Sequence, residues 1–474
     1  MAFLDFTTSI LVLIFFSIAM ILVTWFFTRH KNVTNEYFLV SNRNVHWLIG
    51  AGSLAASWIW APALFISSQM AYQLGLPGIF WFVFPNMIAV AIYFWLAPKI
   101  REKFPQGHTL PEYIGERLGD KKVHKIYFFG YSFYQLMAVS VQLFAGSSLI
   151  FLLTGVPLEL SIFLLALTVF IYAWISGFES SVVTDFVQLG IIFLGLIIVI
   201  PAALNAAGGF ETVLKGIGGV TGQHSNLFDP AVAFSFGIVT SIGLISGAIA
   251  DQQFWQRAFA FNKKSIKLGF LAGAVLFGIV PITLSLLGFM AASPASGVTL
   301  PPGTDPSMIG VLTITHYLPT AFIIVFFLML LAGLASTLDS ALSAFSALYA
   351  VDMHKFTESN DISKPRTGML LILILGILVA LITAYIPGFG LKQLWWIFNS
   401  VGAALVVPTI LSLYWDRLTA KGAYYGIITA LVIGLPLFVY GNLTDNTNLI
   451  VMSALFIIIV NAIICWVFRK KAQD

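Results

Sequence analysis

The chain has 474 residues, of which 59% are hydrophobic and only 9% are charged, and its formal net charge is +4. Soluble domains carry about 25% charged residues, so this composition excludes a soluble protein, and the short basic loops do not form a nucleic-acid-binding face. Long apolar stretches predict an all-α polytopic membrane protein, because about 20 apolar residues in a helix cross the bilayer. The single cysteine, Cys465, excludes a disulfide framework and a CxxC metal site.

About thirteen membrane spans are predicted from the apolar stretches in chain order. The first stretch has no basic residue before it and no small-residue cleavage site after it, so we expect a retained helix rather than a signal peptide. The predicted centres are residues 16, 60, 88, 140, 166, 193, 244, 277, 333, 377, 402, 430 and 458. No linker or soluble domain separates the spans, so residues 1–474 are expected to form one transmembrane domain.

The positions of lysine and arginine predict how the chain is oriented. All but two of the 24 basic residues fall on one side of the predicted spans, and the exceptions are Lys215 and Lys392. Basic residues concentrate in cytoplasmic loops. The N-terminus is therefore expected outside and the C-terminus in the cytoplasm, with the chain embedded in the lipid of the plasma (inner) membrane.

Two spans are rich in small residues and are expected to be interrupted. The second span carries Gly50 and Gly52 ahead of Pro62, and the seventh carries Gly243 and Gly247. Broken helices at matching positions of two repeats are typical of inverted-repeat transporters, where they build a site near the middle of the membrane. Small residues also serve close helix packing, but their matched positions favour the transporter interpretation.

One face of the ninth span offers oxygen atoms to a cation. Gly333, Ser336, Thr337 and Ser340 follow the spacing i, i+3, i+4, i+7, which places them on one side of a helix. Single hydroxyls in membrane helices often bond to a carbonyl of their own helix, but a row of them on one face offers the oxygen ligands that a hard cation such as Na⁺ takes. Asp185 adds a carboxylate to the sixth span, and such a residue marks an ion or substrate pathway by default.

Four segments resemble the solute:sodium symporter family, whose members have the LeuT-type fold. These segments are SLAASWIW, WISGFESSVVTDFVQ, ADQQFWQRAFA and LLAGLASTLDSALSAFSALYAVDMHK. The resemblance implies ten core spans arranged as two inverted repeats of five, with one extra helix before them and two after them. The implied ranges are 5–28 for the extra helix, 46–205 and 231–414 for the repeats, and 420–468 for the C-terminal helices. The core spans are numbered one to ten below.

The resemblance also implies a sodium site between core spans one and eight. Its ligands would be the backbone carbonyls of Ala56, Ile59 and Gly333 and the hydroxyls of Ser336 and Thr337. Three of these five positions lie on the face that the helical spacing selects independently. The implied bound ion is Na⁺, carried together with the solute.

A second cation or proton site is implied beside Asp185, which matches an aspartate of core span five in the family. In some members this carboxylate acts with hydroxyls of core span eight, which here correspond to Ser336, Asp339 and Ser340. Asp339 departs from the pattern, because a small hydroxyl is usual there. Two close carboxylates can bind a cation or share a proton, although Asp339 can also serve a purely structural contact. Neither carboxylate has an evident lysine or arginine partner in the membrane.

The solute is expected to contact aromatic and amide side chains on the core spans. The candidates are Trp58 and Trp60 on core span one, Gln135 and Gln142 on three, Gln252 and Trp255 on six, and Asn399 on ten. Trp395 and Trp396 are equally consistent with anchors at the membrane interface. No basic residue is expected inside the bundle, which weighs against an anionic solute.

The segments SWIWAPALFISSQMAYQLGLPGIFW and KFPQGHTLPEYIGERLG are most similar to the urea-transporting branch of the family. We therefore expect a sodium-coupled secondary active symporter for a small polar solute, with urea as the first candidate. An amino acid, a sugar or a carboxylate as solute, and a proton as coupling ion, remain alternatives, and a channel or a sensor is less favoured. No enzyme is expected, since no catalytic motif occurs in a suitable context. The oligomeric state stays open.

Overall fold

The computed structural model describes residues 3–354, 360–386 and 390–471, and these residues are almost entirely α-helical. Within them, the only β-type pairing is an isolated bridge between Val45 and Phe261. The helices are α1 (Phe6–Thr28), α2 (Asn35–Val40), α3 (Trp47–Trp58), α4 (Ser67–Ala91), α5 (Tyr93–Lys103), α6 (Leu110–Leu118), α7 (Lys121–Thr154), α8 (Leu158–Ser176), α9 (Phe178–Ala206), α10 (Phe210–Lys215), α11 (Pro230–Val232), α12 (Ile238–Ala250), α13 (Gln252–Ala260), α14 (Ile266–Ala292), α15 (Ile309–Tyr317), α16 (Thr320–Leu348), α17 (Ser363–Ala384), α18 (Leu391–Tyr414), α19 (Ala420–Thr429), α20 (Leu435–Leu443) and α21 (Thr447–Val467). The predicted all-α membrane architecture is thus confirmed.

In the described part of the chain, twelve helices are long and apolar enough to cross a membrane, against about thirteen predicted spans. The difference arises at the continuous helix Pro62–Lys103, which is 42 residues long. Gly75 divides it with a positive φ of 60°, where a side chain would lie 2.7 Å from the carbonyl oxygen of Ile217. The segment before Gly75 completes core span one, and the segment after it forms core span two. Lys355, the last residue of the motif in the ninth span, lies outside the described residues.

Core span one is interrupted where its sequence predicts. The helix α3 ends at Trp58, and Ile59 has φ −79° and ψ 60°, outside the helical region. Pro62 has no backbone N–H, so the carbonyl four residues earlier loses its helical partner. The chain then resumes as a π-helical turn, Pro62–Ile66, that leads into α4. The break therefore exposes backbone carbonyls in the middle of the bundle.

Core span six breaks at Asp251 rather than at its glycines. Asp251 is extended, with φ −93° and ψ 116°, and its carboxylate accepts a hydrogen bond from the backbone of Gln253 that caps α13. Gly247 stays helical, and a Cβ there would lie 2.5 Å from Oδ1 of Asn399 on α18. This glycine thus serves close helix packing, the alternative that its sequence left open.

The core of the bundle surrounds α16, whose residues from Met329 to Leu348 are all buried. This helix packs against α9, α7 and α3, while α12 packs against α18. The flanking helices lie at the periphery: α1 contacts α8 and α9, and α21 contacts α18. The interrupted spans and the central helix therefore meet away from lipid.

Candidate functional site

The break of core span one lies against the middle of α16. The Thr337 hydroxyl donates a hydrogen bond of 2.9 Å to the carbonyl oxygen of Ser57. A Cβ at Gly333 would lie 3.1 Å from the carbonyl oxygen of Ile59, a tight contact that the glycine avoids, so α16 approaches the break closely. Ala56 and Ser336 are fully buried beside them. The structure thus brings the five predicted sodium ligands into one buried region.

The donor set in this region suits a hard cation. It consists of neutral backbone carbonyl and hydroxyl oxygens, which are the ligands that such cations prefer. The amide N–H of Ile59 is already shared between the carbonyls of Ala55 and Ala56, at 2.9 and 3.1 Å. The Ser336 hydroxyl donates to Oδ1 of Asp185 at 2.6 Å and so links this region to the carboxylate beside it.

Asp185 has a basic partner, Arg257, which corrects the expectation that neither buried carboxylate has one. The expectation that no basic residue lies inside the bundle, and the argument against an anionic solute that rested on it, are also wrong. Oδ2 of Asp185 accepts a hydrogen bond of 2.8 Å from Nη2 of Arg257, and both side chains are buried. Ser53 donates to the same oxygen at 2.6 Å. The sequence predicts Arg257 in a cytoplasmic loop, because it follows the apolar stretch of core span six. The helix α13 instead returns its side chain to the interior, where every residue from Gln252 to Ala260 is buried.

Asp339 faces hydroxyl groups on core spans four and five. Its Oδ1 accepts a hydrogen bond of 2.6 Å from Ser181, and its Oδ2 accepts hydrogen bonds from Tyr172 at 2.8 Å and from Thr184 at 3.2 Å. Ser181 also lies 3.3 Å from Oδ2 of Asp185, so one hydroxyl bridges the two carboxylates. Ser340 contacts both carboxylates as well, at 3.4 and 3.5 Å. The prediction that Asp185, Asp339 and Ser340 are neighbours agrees with this geometry.

Aromatic rings line the other side of the break. The rings of Trp58 and Trp60 are stacked, with centroids 5.2 Å apart, and Trp60 meets Trp395 and Phe398 edge to face. Both Trp58 and Trp60 are buried, and their indole N–H groups have no hydrogen-bond partner among the described residues. The two rings therefore present flat apolar faces and free donors to the same region.

Two of the predicted amides join this aromatic group. Gln142 accepts a hydrogen bond of 2.9 Å from the backbone of Ala61 at the break, and its amino group has no partner in the described structure. Asn399 accepts one of 3.3 Å from the Tyr134 hydroxyl, and its amino group is likewise unpartnered there. A cavity of about 10 Å³ borders Trp395 and Asn399, which is close to the volume of one water molecule. The two stacked tryptophans and Asn399 are each only 2% exposed, so the aromatic side of the site is closed in this conformation.

Three predicted solute residues have their polar groups satisfied within the protein. Gln252 bonds to the backbone of Leu110 and His108, at 3.2 and 2.8 Å, and Trp255 donates to the carbonyl of Ile249 at 2.7 Å. The contacts of Gln135 are with Asp251 and Gln253. This conformation gives these three side chains a role in holding core span six, not in contacting a solute.

Several residues of the site were not predicted from the sequence. They are Ser53, Ser57, Tyr134, Tyr172, Ser181, Asp251 and Arg257. Ser53 and Ser57 lie four positions apart in a span already singled out, so the helical spacing could have found them. Arg257 lies within ADQQFWQRAFA, one of the segments that carry the family resemblance. Its charge nevertheless predicted a position in a cytoplasmic loop, because basic residues rarely lie inside a membrane bundle.

A charged cluster outside the spans ties the loop after core span two to the loop before core span one. Glu36 forms an ion pair with Arg43 at 2.7 Å and approaches Nε2 of His108 at 2.6 Å. Burial opposes the charge on His108, but hydrogen bonds to Glu112 and Glu36 outweigh it and raise the pKa of this imidazole. Burial likewise disfavours the Glu36 carboxylate, yet the hydrogen bond to His108 and the charges of His108 and Arg43 lower its pKa.

Broken helices that place carbonyls against the hydroxyls of a central helix are the architecture of a membrane transporter with the LeuT-type fold. The chain matches the model of the sodium:solute symporter family over residues 37–430 and belongs to this family. The family consists of transporters, which agrees with the expectation that the chain is not an enzyme. The chain is therefore an integral membrane protein.

The chain is similar to several transporters from other organisms. The urea-proton symporter of Oryza sativa subsp. japonica is 23% identical over 92% of this chain and 66% of its own length. The sodium/glucose cotransporter of Vibrio parahaemolyticus is 26% identical over 84% of this chain and 78% of the relative. A solved structure of a Na⁺-coupled sialic acid symporter, substrate-bound and outward-open, matches with a TM-score of 0.77 at 19% identity and covers 98% of this chain and 99% of that one. The chain spans slightly less than two thirds of the plant urea transporter.

Proposed function

We propose that the chain is a sodium-coupled symporter that moves a small, neutral, polar solute into the cell by alternating access. The observation that carries this proposal is the hydrogen bond from Thr337 to the carbonyl of Ser57. It holds the hydroxyl face of α16 against the broken segment of core span one. Cation-binding oxygens from two different spans are thereby brought together, so a bound Na⁺ would join spans that must separate again for release.

In this proposal the repeats occupy residues 46–205 and 231–414, the extra helix residues 5–28 and the C-terminal helices residues 420–468. The N-terminus lies outside and the C-terminus in the cytoplasm. The support is the position of the basic residues, of which all but Lys215, Lys392 and the buried Arg257 fall on one side of the predicted spans. The membrane is the plasma (inner) membrane.

The solute we propose is planar and carries a carbonyl oxygen, and urea is the first candidate. Four buried N–H donors without partners in the described structure support this choice, and they belong to Trp58, Trp60, Gln142 and Asn399. A buried donor left without an acceptor costs about 1–3 kcal/mol, so a solute that supplies acceptor oxygens is favoured there. Stacked indole rings suit a flat molecule. The urea-transporting relatives support the same solute class.

The test is uptake of labelled urea by the purified chain in proteoliposomes with an inward Na⁺ gradient. We expect urea to accumulate above its external concentration, and unlabelled urea to compete better than an amino acid, a sugar or a carboxylate. Collapse of the Na⁺ gradient should abolish accumulation. Accumulation of another member of the panel, with no effect of urea, would overturn the choice of solute, and accumulation without Na⁺ would overturn the coupling ion.

A proton is the second candidate for a coupling ion, and Asp339 favours it. Within the described residues its hydrogen bonds come only from hydroxyl groups, while Arg257 pairs with Asp185. With both carboxylates ionised, the pair would carry one more negative charge than the guanidinium neutralises, and a lone charge in the membrane costs at least about 2.5 kcal/mol. Asp339→Ser should flatten the pH dependence of uptake, with Ser346→Ala as a control on the same helix. An unchanged pH profile would make Asp339 a structural residue.

A further inference from the structure

One nitrogen atom of Arg257 lies inside a cage of four side-chain oxygens. The oxygens of Ser53, Asp185 and Ser340 each lie 2.8 Å from Nη2, and the Ser57 hydroxyl is also within hydrogen-bonding distance. These oxygens come from core spans one, five and eight, while Arg257 belongs to core span six. A single positive charge thereby holds four spans together.

The number of oxygens exceeds what directional hydrogen bonding needs. Each terminal nitrogen of a guanidinium carries two N–H groups, so two of the four oxygens have no hydrogen of Nη2 to accept. The hydroxyls of the cage are also held by other hydrogen bonds: Ser53 donates to Oδ2 of Asp185 at 2.6 Å and accepts from Nε of Arg257, and the Ser57 and Ser340 hydroxyls bond to each other at 2.8 Å. A shell of carboxylate and hydroxyl oxygens around one centre of charge is the arrangement expected around a bound monovalent cation.

The rest of the side chain fixes the guanidinium in this place. Its Nε donates to Ser53 at 3.0 Å, and its Nη1 donates to the backbone carbonyl of Gln253 at 3.1 Å. The ring of Phe178 covers the group at 5.6 Å. Arg257 is only 2% exposed. The positive charge is therefore an anchored part of the protein in this conformation.

Two buried carboxylates lie around the cage, and the guanidinium supplies positive charge beside them. Asp185 and Asp339 are both fully buried and are bridged by the Ser181 and Ser340 hydroxyls. Removal of Arg257 would leave two carboxylates among hydroxyl groups, and breaking a buried ion pair in this way leaves an uncompensated charge. A cation of suitable size from solution would restore the balance with the same oxygens.

We infer that Arg257 serves as a built-in cation at the position beside Asp185, so that a second Na⁺ is excluded and the chain binds one Na⁺ only. This inference goes beyond the proposed function, because it concerns the number of ions and not the identity of the solute. The prediction that the wild-type chain binds one Na⁺ rests on the proposed function, because that ion would occupy the proposed sodium site at Ala56, Ile59, Gly333, Ser336 and Thr337. The prediction that removal of Arg257 adds one further Na⁺ is independent of that site.

The test is equilibrium binding of ²²Na⁺ to the purified full chain in lipid nanodiscs without solute, at about pH 9, where protons compete least with Na⁺. Arg257→Ala should bind one more Na⁺ per molecule than the wild-type chain. Arg257→Lys, which keeps the charge, should match the wild type. In Arg257→Ala combined with Asp185→Asn, the additional ion should be lost again, because the cage then lacks its carboxylate.

An equal Na⁺ count for the wild type and Arg257→Ala would overturn the inference, as would two ions bound to the wild type. Size-exclusion chromatography and thermal unfolding establish that each variant is folded. Arg257→Gln retains most of the side-chain volume and replaces Arg257→Ala in the measurement where the alanine variant does not fold. Failure of the proposed function would appear as absent solute accumulation with these ion counts unchanged, so the two outcomes are distinguishable.

Discussion

Ser336 belongs to both polar regions of the site. Its backbone lies on the face that carries Gly333 and Thr337, and its hydroxyl donates to Asp185 at 2.6 Å. A change at this residue is therefore expected to affect the proposed sodium ligands directly and the buried carboxylate through one hydrogen bond. The spacing of hydroxyls along the ninth span predicted the first role, and the family resemblance predicted the second.

Replacing Ser336 and Thr337 together by alanine should raise the Na⁺ concentration for half-maximal uptake by about tenfold or more. Two lost ligands at about 1 kcal/mol each exceed the 1.4 kcal/mol that corresponds to a factor of ten. The measurement is solute uptake against Na⁺ concentration. Ser346→Ala is the control, because its hydroxyl bonds to a carbonyl of its own helix at 2.6 Å. An unchanged Na⁺ dependence would remove these two residues from the sodium site.

Trp58→Ala should weaken solute binding and leave Na⁺ binding in the absence of solute nearly unchanged. The ring of Trp58 stacks on Trp60 and contacts Phe254, while its N–H has no partner among the described residues. Binding of labelled urea and of ²²Na⁺ to the purified protein separates the two effects. Trp466→Ala is the control, since that indole is 59% exposed on the surface of α21. A parallel loss of both bindings would make Trp58 structural.

At the scale of helices, the sequence predicted one break correctly and misplaced the other. Pro62 and the small residues before it lead to the break at Ile59, because proline removes a specific backbone donor. Core span six breaks at Asp251 instead of at its glycines, because the aspartate caps α13 while Gly247 packs against Asn399. Glycine permits both uses, and only the neighbouring helix decides between them. The burial of Arg257 also depends on how helices pack against one another, so the sequence alone did not predict it.

Gly247→Ala should lower the melting temperature of the detergent-solubilised protein. The added methyl group would lie 2.5 Å from Oδ1 of Asn399 and 2.7 Å from the Tyr134 hydroxyl, and overpacking of this kind costs about 1–3 kcal/mol. Gly190→Ala is the matched control, because a Cβ there meets no atom within 4 Å. Alanine in a helix is otherwise favoured over glycine. A Gly247→Ala protein as stable as Gly190→Ala would contradict this role in packing.

At the scale of the whole molecule, the loops outside the spans contribute their own stability. His108 contacts Glu36 at 2.6 Å, Glu112 at 3.7 Å and Arg43 at 3.1 Å, so two carboxylates outweigh one guanidinium. This surrounding favours the imidazolium in the folded protein, in agreement with the raised pKa of His108. The cluster joins segments that are about seventy residues apart in the chain, between Glu36 and His108.

The stability contributed by His108 should decrease with rising pH. Because its folded pKa is raised, the contribution is full below the unfolded pKa of about 6.5 and is lost as the pH rises through the folded value. The melting temperature of the wild type should therefore exceed that of His108→Gln by more at pH 6 than at pH 9. The exposed His30 provides the control variant, His30→Gln. An equal difference at both pH values would exclude a protonated His108 from the stabilising cluster.

If Arg257 takes the place of a second Na⁺, as proposed above, it also sets a thermodynamic ceiling on how far the solute can be concentrated. A membrane potential of 100 mV is worth about 2.3 kcal/mol for each charge that crosses, and a tenfold Na⁺ gradient adds about 1.4 kcal/mol. Together these two contributions supply roughly 3.7 kcal/mol for each Na⁺ that enters. At about 1.4 kcal/mol for each factor of ten, one ion can concentrate a neutral solute by about a few hundredfold at steady state. A second ion would square that ratio. Because Arg257 supplies the second positive charge, the protein would reach a lower maximum concentration ratio of solute but would import fewer Na⁺ ions with each solute molecule.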